Sequence, residues 1–247
     1  MNSWLESHIR TNPHVRRIFN HHKKIQISKS KVEHLKSMIE QTRPTLVLDI
    51  GANIGQFLVD LELAKYQGKV LAVEPLPEAT KLLYKKAHRN QAITVIPSAL
   101  TVDESDTIQM YVGSNLGMSS SILRPNASYS KLDPTTSFEV LEGFSSISVS
   151  ELILRFPEIR TSTILMKIDV QGYECRILQE FLREGVTITA LIGETHLVDL
   201  YEGSGNLFDY MEFLHHLNHR VLDIQMQGYS KEHRGWNYTD IYSVVSK

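Results

Sequence analysis

VLDIGANIGQF, residues 47–57, sets the reading of the whole chain. It closes the apolar run Thr45–Ile50, which is rich in β-formers and reads as a buried strand. Gly51 and Gly55 then let the backbone turn and pass close to a ligand where a Cβ would intrude. Phe57, Leu58, Leu61 and Ala64 share one helical face, so Ile54–Tyr66 reads as a helix. Strand, glycine turn and helix in that order place free N–H groups beside the carboxyl end of a strand.

The same unit repeats outward from this stretch. Val70–Val73 and Ile93–Ile96 read as strands, with a helix over Pro77–Arg89 between them and Pro77 in its first turn. Alternation resumes at Ile164–Ile168 (strand), Tyr173–Leu182 (helix), Thr187–Ile192 (strand), Leu207–Leu217 (helix), Val221–Ile224 and Ile241–Val245 (strands). Strands alternating with helices imply a parallel sheet covered on both faces, with ligands at the carboxyl ends of its strands. Residues 98–150 interrupt the pattern with strands at Thr107–Val112 and Ser145–Val149 around a stretch rich in Ser, Thr, Pro and Asn. Its length and polarity predict a functional lid, centred on Met118–Thr136.

Charge divides the chain unevenly. Residues 1–43 carry nine Lys/Arg against three Glu, a charge of +6, so residues 44–247 carry −8 of the total −2. The first part is read as a helical basic N-terminal arm, with Val32, Leu35, Met38 and Ile39 at helical spacing and a solvated basic face. An acidic main body argues against nucleic acid, whose phosphates need clustered Lys/Arg. No stretch approaches the roughly 18 apolar residues of a membrane span. The lone Cys175 suits a reducing compartment, so the expected location is cytoplasmic. Nothing in the pattern sets an oligomeric state.

Four places carry chemistry. Asp49 beside the glycine turn suits a ligand bearing an ammonium group. The dinucleotide pattern Gly-x-Gly-x-x-Gly reads Gly51, Asn53, Gln56 here, which disfavours a pyrophosphate cradle. Glu74 ends a strand 23 residues after Gly51, near the spacing at which an acid takes ribose hydroxyls. In LMKIDVQGYE, residues 165–174, Lys167 and Asp169 share one side of a strand by two-residue periodicity. Glu174 falls in the first turn of the next helix. In LIGETH, residues 191–196, Glu194 and His196 share a side in the same way, on the strand expected beside Asp169. Two carboxylates and an imidazole at neighbouring strand ends supply a general base, or the ligands of a divalent cation. A metal-free centre is favoured, with His196 as base on its ordinary pKa near 6.5.

Together VLDIGANIGQF, AVEP, KIDVQGYE and the Glu194–His196 segment resemble the FkbM family of S-adenosylmethionine-dependent methyltransferases over about residues 44–245. Gln171 stands where that family more usually has Glu. The resemblance implies a Rossmann-like class I methyltransferase fold, with a mostly parallel seven-stranded sheet, as domain 44–247. It implies O-methyl transfer from S-adenosyl-L-methionine to a hydroxyl of a sugar, glycan or natural-product small molecule. By the same resemblance Asp49, Gly51, Asn53 and Gly55 line the methionine end of the cofactor. Glu74 holds its ribose, and Ser98 and Ala99 lie near its adenine. Lys167, Asp169, Glu194 and His196 surround the transferring methyl. A nicotinamide oxidoreductase and a non-catalytic nucleoside-binding protein are the rivals from other classes.

Overall fold

The computed structural model describes residues 29–230 and 235–246. Residues 1–28, most of the expected arm, lie outside the described residues. The chain runs α1 (Lys29–Thr42), β1 (Leu46–Ile50), α2 (Gln56–Leu63), β2 (Lys69–Val73), α3 (Pro77–Arg89) and β3 (Ile93–Ile96). An insertion follows, made of β4 (Ala99–Thr101), β5 (Thr107–Gly113), α4 (Ala127–Leu132), β6 (Phe138–Ser148) and α5 (Val149–Arg155). After a short 3-10 turn come β7 (Ile164–Ile168), α6 (Glu174–Arg183), β8 (Ile188–His196), α7 (Leu207–His216), β9 (His219–Ser230) and β10 (Gly235–Val245).

Seven strands form one sheet in the order β3-β2-β1-β7-β8-β10-β9. Pairings from β3 across to β8 are parallel, while β10 runs antiparallel to both of its neighbours. Every residue of β1 is buried, as expected of a central parallel strand covered on both faces. Alternate residues feed two cores. Leu46, Leu48 and Ile50 pack with Ile177, Leu178 and Phe181 of α6 and with Leu152 of α5. Val47 packs on the other face with Phe57, Leu58 and Leu61 of α2 and Leu83 of α3.

Local chemistry fixes the ends of the helices. Asn53 and Gly55 adopt φ of 47° and 81°, so α2 starts at Gln56, two residues later than its apolar periodicity suggests. Pro77 opens α3, with Glu78 in the first turn and Lys86, His88 and Arg89 in the last, each sign matching the helix dipole. Asn206 and Asp209 form a reciprocal capping box at the start of α7.

Two regions differ from expectation. α1, assigned by the sequence to an arm, buries Leu35 and Met38 in the same core as α2, so packing does not divide at residue 43. The segment read as a lid is anchored by buried side chains among half-buried and exposed ones. Ser119, Ser121, Leu123, Tyr129 and Thr136 are buried, and β4, β6 and β5 form a separate three-stranded sheet beneath it. The Tyr201 hydroxyl lies 2.8 Å from the Ser119 carbonyl and ties this segment to the loop that follows β8. No helix among the described residues is long and apolar enough to cross a membrane.

Candidate active site

A cavity of about 500 Å³ opens at the carboxyl ends of β1, β2, β7 and β8. The glycine turn forms its floor. Gly51 has φ +75°, and a Cβ there would stand 1.9 Å from the Asp169 carbonyl oxygen, so only glycine lets β1 and β7 approach so closely. Asn53 turns its backbone N–H to Glu74, whose Oε2 accepts it at 2.8 Å, while Oε1 accepts the Leu76 N–H at 2.8 Å. Burial raises the Glu74 carboxyl to about 7 against the pull of these two N–H groups.

Of the residues proposed from sequence, Gly51, Asn53, Glu74, Ser98, Ala99, Lys167, Asp169, Glu194 and His196 line this cavity. Asp49 and Gly55 do not. Gly55 faces α3, where its Cβ would meet Leu83 and Lys86, and its carbonyl accepts from the Lys86 ammonium. Asp49 lies behind the cavity wall at 0 % exposure, with neither carboxylate oxygen hydrogen-bonded in the structure. Its nearest cation is Lys167, 3.8 Å away, and burial pushes its carboxyl up to about 6.

Strand register explains the rest. Asp49 pairs with Lys167 across β1 and β7, and Lys167 donates to the Gly51 carbonyl at 2.8 Å and lies 3.4 Å from Asp169. Burial works against the Lys167 ammonium, but Asp169, Asp49 and Glu194 outweigh it and raise its proton affinity. β8 lies beside β7, and Gln171 Nε2 joins the two strand ends, 2.9 Å from Asp169 Oδ1 and 2.7 Å from Glu194 Oε1. Burial and then the Asp169 charge raise Glu194 well above the usual carboxylate range. His196 Nε2 lies 3.7 Å from Glu194, and its Nδ1 is buried without a partner. Burial lowers the imidazole to about 4, with Asp169 opposing, so it is neutral at physiological pH. Among the described residues no group of three or more His, Cys, Asp or Glu is arranged to hold a metal ion.

Glu174 turns inward rather than facing solvent. Its carboxylate accepts the Val170 and Gly172 N–H groups at 2.7 and 2.9 Å, clamping the turn after β7, and burial raises it to about 7. Several residues that line the cavity gave no sequence signal. Lys31 of α1 reaches in to pair with Asp240 of β10 at 2.8 Å, and Tyr238 lies on the same strand. The period-2 spacing of Tyr238, Asp240 and Tyr242 is the one pattern that could have flagged that wall.

These shifts fix a pH dependence. Asp49, Glu74 and Glu174 hold protons more tightly folded than unfolded, so the stability they confer at low pH is lost as pH rises from their unfolded values near 4 to about 7. His196 acts oppositely: its folded value lies below 6.5, so it costs stability as pH falls through 6.5 toward 4. The three carboxyls outweigh the one imidazole. The ligand-free protein is expected to be more stable at about pH 5.5 than at about pH 7.5, by on the order of 3 kcal/mol. Urea unfolding at the two pH values checks this, and greater stability at the higher pH would overturn it.

The strand order, renumbered along this sheet as 3-2-1-4-5-7-6 with one reversed strand, departs from the all-parallel 3-2-1-4-5-6 of dinucleotide-binding folds. With the glycine turn and Glu74 it defines a Rossmann-like methyltransferase. The chain belongs to the FkbM methyltransferase family: the profile described as "Methyltransferase FkbM domain" matches residues 49–221. It is thereby an S-adenosylmethionine-dependent methyltransferase.

Solved structures of similar shape include precorrin-6y C5,15-methyltransferase from Geobacter metallireducens GS-15 (13% identity, 91% of this chain and 92% of that one, TM-score 0.46). Magnesium protoporphyrin IX methyltransferase from Synechocystis PCC 6803 is another (12% identity, 95% and 85%, TM-score 0.45). A SAM-dependent methyltransferase from Aquifex aeolicus is a third (13% identity, 88% and 98%, TM-score 0.39). No curated protein matches the sequence.

Proposed function

We propose that the protein is an O-methyltransferase acting on a hydroxyl of a sugar, glycan or natural-product small molecule. The observation that carries this reading is the wall of Asp169, Glu194 and His196 in the same cavity as Glu74. The residues present fit S-adenosylmethionine. Glu74 keeps free lone pairs for ribose hydroxyls after accepting two backbone N–H groups. Asp49 lies behind Gly51 with both carboxylate oxygens free of hydrogen bonds, so beside its ion pair with Lys167 it adds negative potential that suits a cationic ligand.

The cofactor supplies a methyl group already activated on a sulfonium. The chain has to align the acceptor oxygen, exclude water and take the hydroxyl proton. Glu194 is the proton acceptor that fits best, because it lines the same cavity as Glu74 while burial leaves the neighbouring imidazole the weaker base at about 4. The proton leaves the acceptor O–H for a Glu194 oxygen, and Lys167 balances the charge of Asp169 beside it. His196 was expected as base on a pKa near 6.5. Held near 4 by burial, the neutral ring instead forms part of the cavity wall against which the acceptor packs.

Polar groups on β9 and β10, including Gln227, Asn237 and Asp240, line the same cavity and suit a polyhydroxylated acceptor. The −8 carried by residues 44–247 supports an acceptor other than nucleic acid. A cytoplasmic location is supported by the single cysteine, buried as a free thiol in α6.

Calorimetric titration tests the cofactor half of this reading. S-adenosylhomocysteine is expected to bind and NAD not to bind. Glu74→Ala should weaken S-adenosylhomocysteine by about 1–3 kcal/mol, the usual cost of lost charged hydrogen bonds. Binding of NAD alone would end the methyltransferase reading, and an unchanged affinity in the variant would remove Glu74 from the site.

A further inference from the structure

Gln171 is held at its amide nitrogen, and its amide oxygen shares the one hydrogen of the Tyr201 hydroxyl with the Ser119 carbonyl. Nε2 donates one hydrogen to Asp169 Oδ1 and the other to Glu194 Oε1, at 2.9 and 2.7 Å. Oε1 lies 3.0 Å from the Tyr201 hydroxyl, and the backbone carbonyl accepts from Ser121 Oγ at 2.8 Å. The orientation of the amide follows from charge. Carboxylates only accept, so the NH₂ end must face them, and a reversed amide would set an oxygen against two carboxylates. The backbone is committed as well, since Gln171 sits at φ 55° with Gly172 at φ 100° beside it.

One nitrogen thus lies within reach of two carboxylates from neighbouring strand ends, with His196 Nε2 3.7 Å from the same Glu194 oxygen. Oxygen ligands from separate elements converging on one point are what a divalent cation needs, at roughly 2.0–2.6 Å. An imidazole nitrogen nearby would complete a mixed oxygen and nitrogen set. The amide fills the point of convergence with two N–H donors and no charge.

We propose that Gln171 is a positioning residue whose amide takes the seat of a divalent cation between Asp169 and Glu194. It holds the two carboxylates together for proton removal without a metal. A glutamate in its place would have no hydrogen to give either carboxylate and would add a third negative charge. That cluster is relieved by taking up a proton or by binding a cation, and the cation is what a metal titration reads. An alanine would leave two facing carboxylates with an open space between them.

Manganese titration of the full chain tests this, followed by the electron paramagnetic resonance of free Mn²⁺ with S-adenosylhomocysteine present. The readout is cation binding rather than turnover, so its failure would leave the methyl-transfer reading standing. The natural protein is expected to take up no stoichiometric Mn²⁺. Q171E is expected to bind one equivalent at least tenfold more tightly than the natural protein (roughly a tenfold gain for one added carboxylate ligand). Adding D169N to Q171E should abolish that uptake.

Q171A, which keeps the neighbouring charges unchanged, should bind Mn²⁺ more weakly than Q171E yet more tightly than the natural protein. It carries the test should Q171E fail to fold. One equivalent bound by the natural protein and lost in D169N would overturn the proposal, because the seat would then be open. Absence of uptake in every folded Gln171 variant would overturn it equally.

Discussion

Gly51→Ala is expected to cost the fold about 3–5 kcal/mol, from left-handed strain together with a backbone clash. A Cβ at this position would lie 1.9 Å from the Asp169 carbonyl oxygen. That atom cannot rotate away as the end of a flexible side chain could, because it belongs to the turn that leaves β7. Asp169 N donates to the Ile50 carbonyl at 3.0 Å, so the two strand ends are already in contact. Relief would require β1 and β7 to part where they present Gly51 and Asp169 to the cavity. Loss of S-adenosylhomocysteine binding should therefore accompany loss of stability.

Gly143 provides the comparison that isolates the clash. It has φ +81°, and a Cβ there meets nothing within 4 Å. Gly143→Ala should cost only the strain, about 1–2 kcal/mol. Urea midpoints of the two variants measured side by side check the difference. Equal destabilisation would mean that φ alone governs both sites and that the strand contact contributes nothing.

Such contacts explain which parts of this protein could be read in advance. Short, mainly apolar strands buried on both faces, such as Ile164–Ile168, advertise themselves in sequence because all but Lys167 in that run are apolar and driven inward. β6 does not. Its last four residues fall in the strand read at Ser145–Val149, but the seven before them are all exposed or half-buried and include a left-handed Gly143, so no alternation marks them. β4 is three residues long and α5 seven, too short for a period to show.

In the site, two-residue spacing paired Lys167 with Asp169 and Glu194 with His196, and strand adjacency brought the pairs together. The roles of His196 and Asp49 were not legible, because each depends on burial. An imidazole that would titrate near neutrality in water is held near 4, and an acid expected to touch a ligand lies behind the wall. Lys31 was hidden for another reason. The charge of a basic helix says nothing about which of its lysines turns toward an acid on a distant strand.

The wall of Asp169, Glu194 and His196 carries the remaining large effect expected. Glu194→Gln keeps the shape and the neutral contacts of the side chain but cannot take a proton. Methyl transfer to an accepted hydroxyl substrate is expected to fall about 10²–10⁴-fold, the range general-base catalysis contributes. S-adenosylhomocysteine affinity should stay close to that of the natural protein, since Glu74 and the glycine turn are untouched. His196→Ala should lower the rate by a smaller factor and leave the acid limb of the pH–rate profile in place, because an imidazole held near 4 does not set that limb. In Glu194→Gln the limb should disappear along with most of the rate. Labelled methyl transfer followed across pH in both variants distinguishes the two side chains. Retained turnover in Glu194→Gln, with activity and acid limb both lost in His196→Ala, would return the role of base to the imidazole. In that case the proton would have to be received by a group that burial has made a weak base. Asp169, the opposing charge that raises its proton affinity, would then have to stabilise the imidazolium that forms.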